Sequence, residues 1–326
     1  MKKKLFAIIA LMIFLISTLA GCKQDDSSLK KVTLNEVAHS IFYAPQYVAM
    51  ELGYFEEEGI DLTVVTGFGA DKTMTAVLTG DADIGFMGSE STIYTYAEGA
   101  DDYPVNFAQL TQRAGNFLVA REAIDDFDWN DLKGKTVLGG RAGGMPQMIF
   151  EYILKQKGID PEKGLDIVQN IDFGLTAGAF SGGQGDFTVE FEPGATNLEL
   201  EGEGYVVASL GIESGYVPYT AYIAKQSYIE ENSEIIAGFI RAIEKGMNYV
   251  NTHTSEEIAK VIAPQFEDTD EATIAIIVDR YKQQDTWKTD STFEKEAFDL
   301  LVDILMEAGE LDKAVPYEDL VVKPAH

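Results

Sequence analysis

The chain has 326 residues, 54 of them acidic and 25 basic, for a formal charge of −29 at pH 7. Such a surface repels nucleic acid, whose binding needs a basic footprint, and avoids anionic lipid headgroups. A hydrophobic fraction of 46% excludes extended disorder. Net charge says little about a ligand, because a few residues inside a cleft decide that locally.

At the N-terminus, Lys2, Lys3 and Lys4 precede a charge-free apolar stretch over residues 5–20. A basic region, an apolar region and small residues before a cut make a secretory signal peptide. The stretch is short for a membrane span, which takes about 20 apolar residues. The closing run Leu19-Ala20-Gly21-Cys22 resembles the lipobox of bacterial lipoproteins, whose cysteine is lipidated and becomes the first mature residue. The resemblance implies a signal peptide over 1–21, lipidation at Cys22, and a mature chain anchored to the extracytoplasmic face of the cell membrane. A diacylglyceryl thioether supplies the two acyl chains that stable anchoring takes. An uncleaved membrane anchor with an incidental cysteine is the alternative. Because Cys22 is the only cysteine, its lipidation leaves no thiol for a disulfide, a nucleophile or a metal. Residues 22–31 are mostly polar and read as a tether.

The mature chain is large for one core, so two domains are expected. From residue 32 onward, strand-like and helical runs alternate. The pattern predicts strands over 32–37, 62–66, 84–87, 105–111, 116–120, 136–139, 165–170, 187–191, 205–209 and 220–224. Helices are predicted over 45–58, 70–79, 89–98, 146–157 and 227–250, then over 254–264, 271–283 and 293–308. Pro45 and Pro146 suit first helical turns, and Gly158 and Gly309 suit helix ends. Alternating β and α units imply an α/β fold with mixed sheets flanked by helices, and ligands in such folds bind at the carboxyl ends of strands.

The segments His39-Ser40-Ile41-Phe42-Tyr43-Ala44-Pro45 and Glu51-Leu52-Gly53-Tyr54-Phe55 resemble the opening of the SsuA/THI5-like solute-binding proteins. Ala76-Val77-Leu78-Thr79-Gly80-Asp81-Ala82-Asp83-Ile84-Gly85, Leu132-Lys133-Gly134-Lys135 and Phe187-Thr188-Val189-Glu190-Phe191-Glu192-Pro193 follow in the family's order and spacing. That family serves ABC importers of sulfonates, taurine, nitrate and thiamine-type pyrimidines. The resemblance implies a two-lobed type II periplasmic-binding-protein fold. Lobe I would be 32–118 plus 223–326, and lobe II would be 119–222. Crossing strands near 117–121 and 219–224 would form the hinge, with a ligand cleft between the lobes that closes by hinge motion. The implied partners are a small-molecule ligand, an ABC permease with its ATPase, and the membrane through lipid on Cys22. A monomer without cofactor or metal is expected.

Loops at strand ends and helix N-termini would supply the contacts. After the first strand, His39 can hydrogen-bond a ligand and Phe42 or Tyr43 can stack on it, or the aromatics merely cap the sheet. Gly67-Phe68-Gly69 lets backbone approach a ligand closely, or is a plain turn. It is neither a dinucleotide fingerprint nor a P-loop. Ser89 is either a helix N-cap or a ligand donor, and Glu90 can accept from a ligand N–H. The glycine-rich loop over 139–145 contains Arg141, Gly143 and Gly144. It lacks the small hydroxyl residues of sulfonate-binding relatives, and Arg141 either supplies positive charge or pairs at the surface.

Glu190 and Glu192 lie two apart, so on a strand they share a face and need a positive or donating partner. A ligand amine, Arg113 or Arg141 would serve. Gln112, Arg113 and Asn116 are polar at the expected hinge, and Tyr219 follows Pro218 at the second crossing. Together these favour a nitrogen heteroaromatic or amine-bearing ligand over a sulfonate, taurine or nitrate. A non-transport surface lipoprotein, acting as sensor or adhesin, is the alternative. Catalysis is not expected: the yeast-type pyrimidine synthase of this fold relies on a cysteine-rich iron-binding segment, and no H-E-x-x-H, G-x-S-x-G or P-loop motif appears.

Overall fold

All ten predicted strands form. A computed structural model describes residues 29–171 and 174–323; Cys22, the signal segment and most of the tether lie outside the described residues. The strands are β1 (Lys30–Glu36), β2 (Ile60–Thr66), β3 (Ile84–Gly88), β4 (Pro104–Thr111) and β5 (Phe117–Ala120), followed by β6 (Thr136–Leu138), β7 (Asp166–Val168), β8 (Phe187–Glu190), β9 (Tyr205–Ser209) and β10 (Thr220–Lys225).

They divide into two five-stranded sheets, ordered β2-β1-β3-β10-β4 and β7-β6-β8-β5-β9. In the first sheet β1 runs parallel to β2 and β3, while β10 runs antiparallel to β3 and β4. The second sheet repeats the plan: β6 is parallel to β7 and β8, and β5 is antiparallel to β8 and β9. The first sheet therefore takes β10 from beyond its own run of sequence while the second is built from the consecutive strands β5 to β9, so the chain crosses twice between them.

The crossings are residues 112–116 and 210–219, not the strands expected there. β5 pairs along its whole length with β8 and β9, and β10 with β3 and β4. Expected boundaries at 118/119 and 222/223 would cut both strands. The reason is that ladder hydrogen bonds, rather than composition, decide which sheet owns a strand. The two crossing segments also bond each other or the strand ends: Leu210 N–H donates to Asn116 O at 3.0 Å, Val217 N–H to Gln112 O at 3.0 Å, and Tyr219 N–H to Thr111 O at 3.2 Å.

The free edge of β4 is covered by residues 286–291, through Lys288 N–H to Leu110 O (3.1 Å) and Gln109 N–H to Ser291 O (2.9 Å). A covered edge removes a site for unwanted strand pairing. The helix expected over 45–58 is two helices, Ala44–Glu51 and Tyr54–Glu57, broken at Gly53 with φ 73°. That expected over 227–250 breaks at Asn232 into Gln226–Glu231 and Ser233–Thr252. Ser233–Thr252 packs closely on Ala44–Glu51: a Cβ on Gly246 would stand 2.1 Å from Pro45 O, so only glycine permits the approach. Short helices at Thr176–Ser181, Gly194–Leu200, Leu210–Ser214 and Tyr317–Leu320 were not anticipated. They are four to seven residues long, too few turns for a periodic apolar face.

Candidate functional site

β1 ends on Glu36, which is fully buried. Its carboxylate meets Gln46 Nε2 (2.9 Å), Tyr47 OH (2.8 Å), Thr66 Oγ1 (3.1 Å) and His39 Nδ1 (2.9 Å). His39 Nε2 lies 2.7 Å from Gln265 O. Both ring nitrogens thus face acceptors, which the doubly protonated imidazole satisfies. The Glu36 hydrogen bond accordingly raises the His39 pKa, against the lowering effect of burial. His39 is committed to anchoring this loop on residues 265 and 266, where its ring also packs on Phe266 at 4.8 Å.

The loop so held presents the short 3-10 turn Ile41–Tyr43, opened by Ser40 Oγ accepting from Phe42 N–H. Trp287 Nε1 donates to Phe42 O at 2.8 Å. The Phe42 ring becomes the centre of an aromatic cluster drawn from both halves. Its centroid lies 5.4 Å from Tyr43, 5.3 Å from Tyr281, 5.7 Å from Tyr219 and 5.9 Å from Phe191. Phe191 follows β8 in the second sheet, whereas Tyr43 follows β1 in the first.

Beside the cluster, β3 ends at Gly88 and the helix Glu90–Ala97 begins. Ser89 occupies the cap position but makes no capping hydrogen bond, so the expected N-cap role is not performed. Glu90 folds back over Gly88: a Cβ on that glycine would lie 2.2 Å from Glu90 Oε2. Ser89 and Glu90 are buried, as is Asn116 on the first crossing. Ser89 Oγ, Glu90 Oε2 and Asn116 Nδ2 have no hydrogen-bond partner. Asn116 Oδ1 accepts from Tyr219 OH at 3.2 Å, which ties the amide to the aromatic cluster. Burial pushes the Glu90 carboxyl up to about 7, with only its own backbone N–H opposing. Burial raises Tyr43, Tyr94 and Tyr219, and the Glu90 charge adds to each. Tyr94 OH reaches Met148 Sδ in the second half at 3.6 Å.

Across the site the two predicted glutamates are otherwise engaged. Glu190, at the end of β8, accepts from Thr188 Oγ1 at 2.5 Å and Thr176 Oγ1 at 3.0 Å. Burial carries its carboxyl up to about 7 despite those bonds. Glu192 lies past the strand end, so the two do not sit on one strand face as expected. Its cation is Arg280, with Nη1 2.6 Å from Oε1, rather than Arg113 or Arg141. Thr196 N–H and Oγ1 complete its shell at 2.9 and 3.0 Å. Arg113 lies along the crossing: Nη1 donates to Gly211 O at 2.9 Å and its guanidinium lies 4.1 Å over the Tyr216 ring, while its buried Nε has no hydrogen-bond partner.

The structure therefore gathers Phe42, Tyr43, Ser89, Glu90 and Tyr219, and adds Asn116, Phe191 and Tyr281. His39, Arg113, Glu190 and Glu192 are buried or half-buried and bonded to the chain's own groups. Phe68, Arg141 and Gly143 stand at the surface and Gly144 is half-buried; Phe68 is 78% exposed with φ 56°. Tyr281 and Arg280 carried no local signal, because their partners lie far away in sequence. Asn116 carried one: a polar residue in an apolar stretch.

Among the described residues, no group of three or more His, Cys, Asp or Glu is placed to hold a metal. No helix among them is long and apolar enough to cross a membrane.

Comparison with known proteins agrees with this geometry. A family model described as NMT1/THI5 like matches residues 41–257. The chain is 49% identical over 311 residues to YtlA of Bacillus subtilis (strain 168), covering 95% of this chain and 93% of that one. It is 25% identical over 291 residues to the formylaminopyrimidine-binding protein of Halalkalibacterium halodurans, covering 85% and 86%. The alkanesulfonate-binding protein SsuA from Xanthomonas axonopodis pv. citri superposes with a TM-score of 0.72 at 15% identity, over 90% of this chain and 98% of that one. That likeness establishes the fold of periplasmic binding proteins.

Proposed function

The chain belongs to the NMT1/THI5-like family of solute-binding proteins, and we propose that it captures a planar, amino-bearing nitrogen heteroaromatic of the pyrimidine type for an ABC importer. It would do so outside the cytoplasm, as a monomer held to the cell membrane by lipid on Cys22. The observation that carries the ligand class is the setting of Glu90. A buried carboxyl oxygen without a partner sits by an aromatic cluster that contains Phe42, Tyr43 and Tyr219. Flat rings stack favourably on such side chains, and an unpaired buried acceptor favours a ligand that brings a donor. A sulfonate or nitrate would need cations or a spread of donors instead. Arg113 is held on the crossing by its Nη1 bond to Gly211 O and by Tyr216, and Arg141 is exposed. The formylaminopyrimidine-binding relative supports the same class.

Thermal-shift measurements test the reading. The panel would hold aminopyrimidines, thiamine, alkanesulfonates, taurine and nitrate, with the protein carrying Cys22→Ala to keep it in solution. A ligand at 100 times its dissociation constant adds about 2.7 kcal/mol, enough to move the melting point by several degrees. Stabilisation by the aminopyrimidines alone is expected; stabilisation by the sulfonates alone would overturn the ligand class. In cells, the native protein should incorporate palmitate and fractionate with membranes, and Cys22→Ala should do neither. Membrane retention of that variant would overturn the lipid anchor.

A further inference from the structure

We infer that Glu90 and the ligand share one proton, so that capture is proton-linked: the Glu90 carboxyl pairs with an edge of the ligand in which an exocyclic amino group stands beside a ring nitrogen. This rests on the aminopyrimidine reading and adds how that ring is read.

The argument starts from what the site leaves unsatisfied. Glu90 Oε2 lacks a partner while buried, and a buried polar atom in that state is costly until something meets it. A carboxylate in such a place normally has an arginine or lysine; here none takes part. The titratable groups that feel Glu90 are Tyr43 after β1, Tyr94 on its own helix and Tyr219 on the second crossing. All three phenols are themselves raised, so they stay neutral around pH 7 and donate no compensating charge. The cheapest buried form of Glu90 is then the carboxylic acid, which offers one O–H donor and one carbonyl acceptor side by side. An amino group next to a ring nitrogen presents the complementary acceptor and donor. Two parallel hydrogen bonds form, and the complex holds one proton whether it rests on oxygen or on the ring nitrogen. The orphaned Asn116 Nδ2 and Ser89 Oγ remain for further polar atoms on the same ring.

Linkage fixes the sign. Glu90 titrates at about 7 in the free protein, and the aminopyrimidine is neutral above that pH. Affinity therefore falls about tenfold per unit above about pH 7, because the proton must be taken up from solvent. Glutamine at this position carries the same donor–acceptor pair without titrating.

The experiment is isothermal titration of the purified protein with 4-amino-5-hydroxymethyl-2-methylpyrimidine at pH 6, 7, 8 and 9, for the native chain, Glu90→Gln and Glu90→Leu. The native protein should lose affinity above pH 7, Glu90→Gln should bind with no pH dependence, and Glu90→Leu should bind about tenfold or more weakly. A native affinity that is flat from pH 6 to 9, or a Glu90→Leu variant that binds like the native chain, would overturn the proton-sharing inference and leave the ligand class standing. If the native protein fails to bind the pyrimidine at any pH, the ligand class falls and this inference falls with it.

Discussion

Arg280 reaches from the helix Glu271–Gln283 to Glu192, which follows the last residue of β8, with Nη1 2.6 Å from Oε1. A second arm of the same guanidinium bonds Glu199. The helix that carries Arg280 also sends Tyr281 OH to Gly115 O at 3.1 Å, on the first crossing segment. Segments that follow β10 in sequence thereby brace both the first crossing and the second sheet, and the two halves are joined by side chains as well as by backbone.

Breaking that pair from one side should be expensive. The Glu192 side chain is fully buried, so Arg280→Ala strands a charge and is expected to destabilise the protein by about 3–5 kcal/mol. The double change Arg280→Met with Glu192→Leu removes both charges and should recover most of the loss. Denaturant melts of the three proteins check this; a double variant as unstable as Arg280→Ala would show that packing, not the stranded carboxylate, is the cause.

The free protein should lose stability between pH 5 and pH 8. Glu90 and Glu190 titrate at about 7 in the fold against an ordinary value of 4.5. A raised carboxyl stabilises the fold fully below its unfolded value, and that stability is lost as pH climbs through the folded value. His39 is raised too, so its contribution fades in the same direction. Each of the two carboxyls is worth on the order of 3 kcal/mol across the window. Melting points at pH 5 and pH 8 should separate clearly, and Glu90→Gln and Glu190→Gln should each narrow the gap. Equal melting points at the two pH values would contradict the raised carboxyls. Since both Glu190 oxygens already have hydroxyl donors, Glu190→Gln should leave pyrimidine affinity within about twofold, well short of the cost of a lost charged hydrogen bond.

Gly88→Ala probes the place where Glu90 folds back. The new Cβ would fall 2.2 Å from Oε2 and 2.4 Å from Oε1, so the carboxyl must swing aside. The obstructing atoms end a flexible side chain, and the fold should give up only about 1–3 kcal/mol. Pyrimidine affinity is expected to drop about tenfold or more as the paired edge is lost. Titration calorimetry beside a thermal melt separates the two effects; unchanged affinity would mean that the carboxyl's position over Gly88 is immaterial.

The sequence by itself determined the elements and the family. Ten strands and the long helices were legible because β-branched and apolar runs, proline at first turns and glycine at helix ends act within a few residues. Gly158 and Gly309 take up the left-handed conformation a helix end wants, with φ 75° and 79°. Ordered motifs along the chain pointed to solute binding, and the family match agrees. Only the tertiary structure decided which sheet owns β5 and β10, since pairing partners lie as far apart as Gly85 and Ile223 and ladder bonds carry no local signature. It also decided that Glu192 answers to Arg280 and that His39 answers to Glu36 and Gln265. Composition showed that carboxylates were abundant. Which of them would be buried with a partner, and which buried without one, depended on three segments far apart in the chain converging on Glu90. Burial and partnering are properties of that convergence, and no single stretch of sequence contains them.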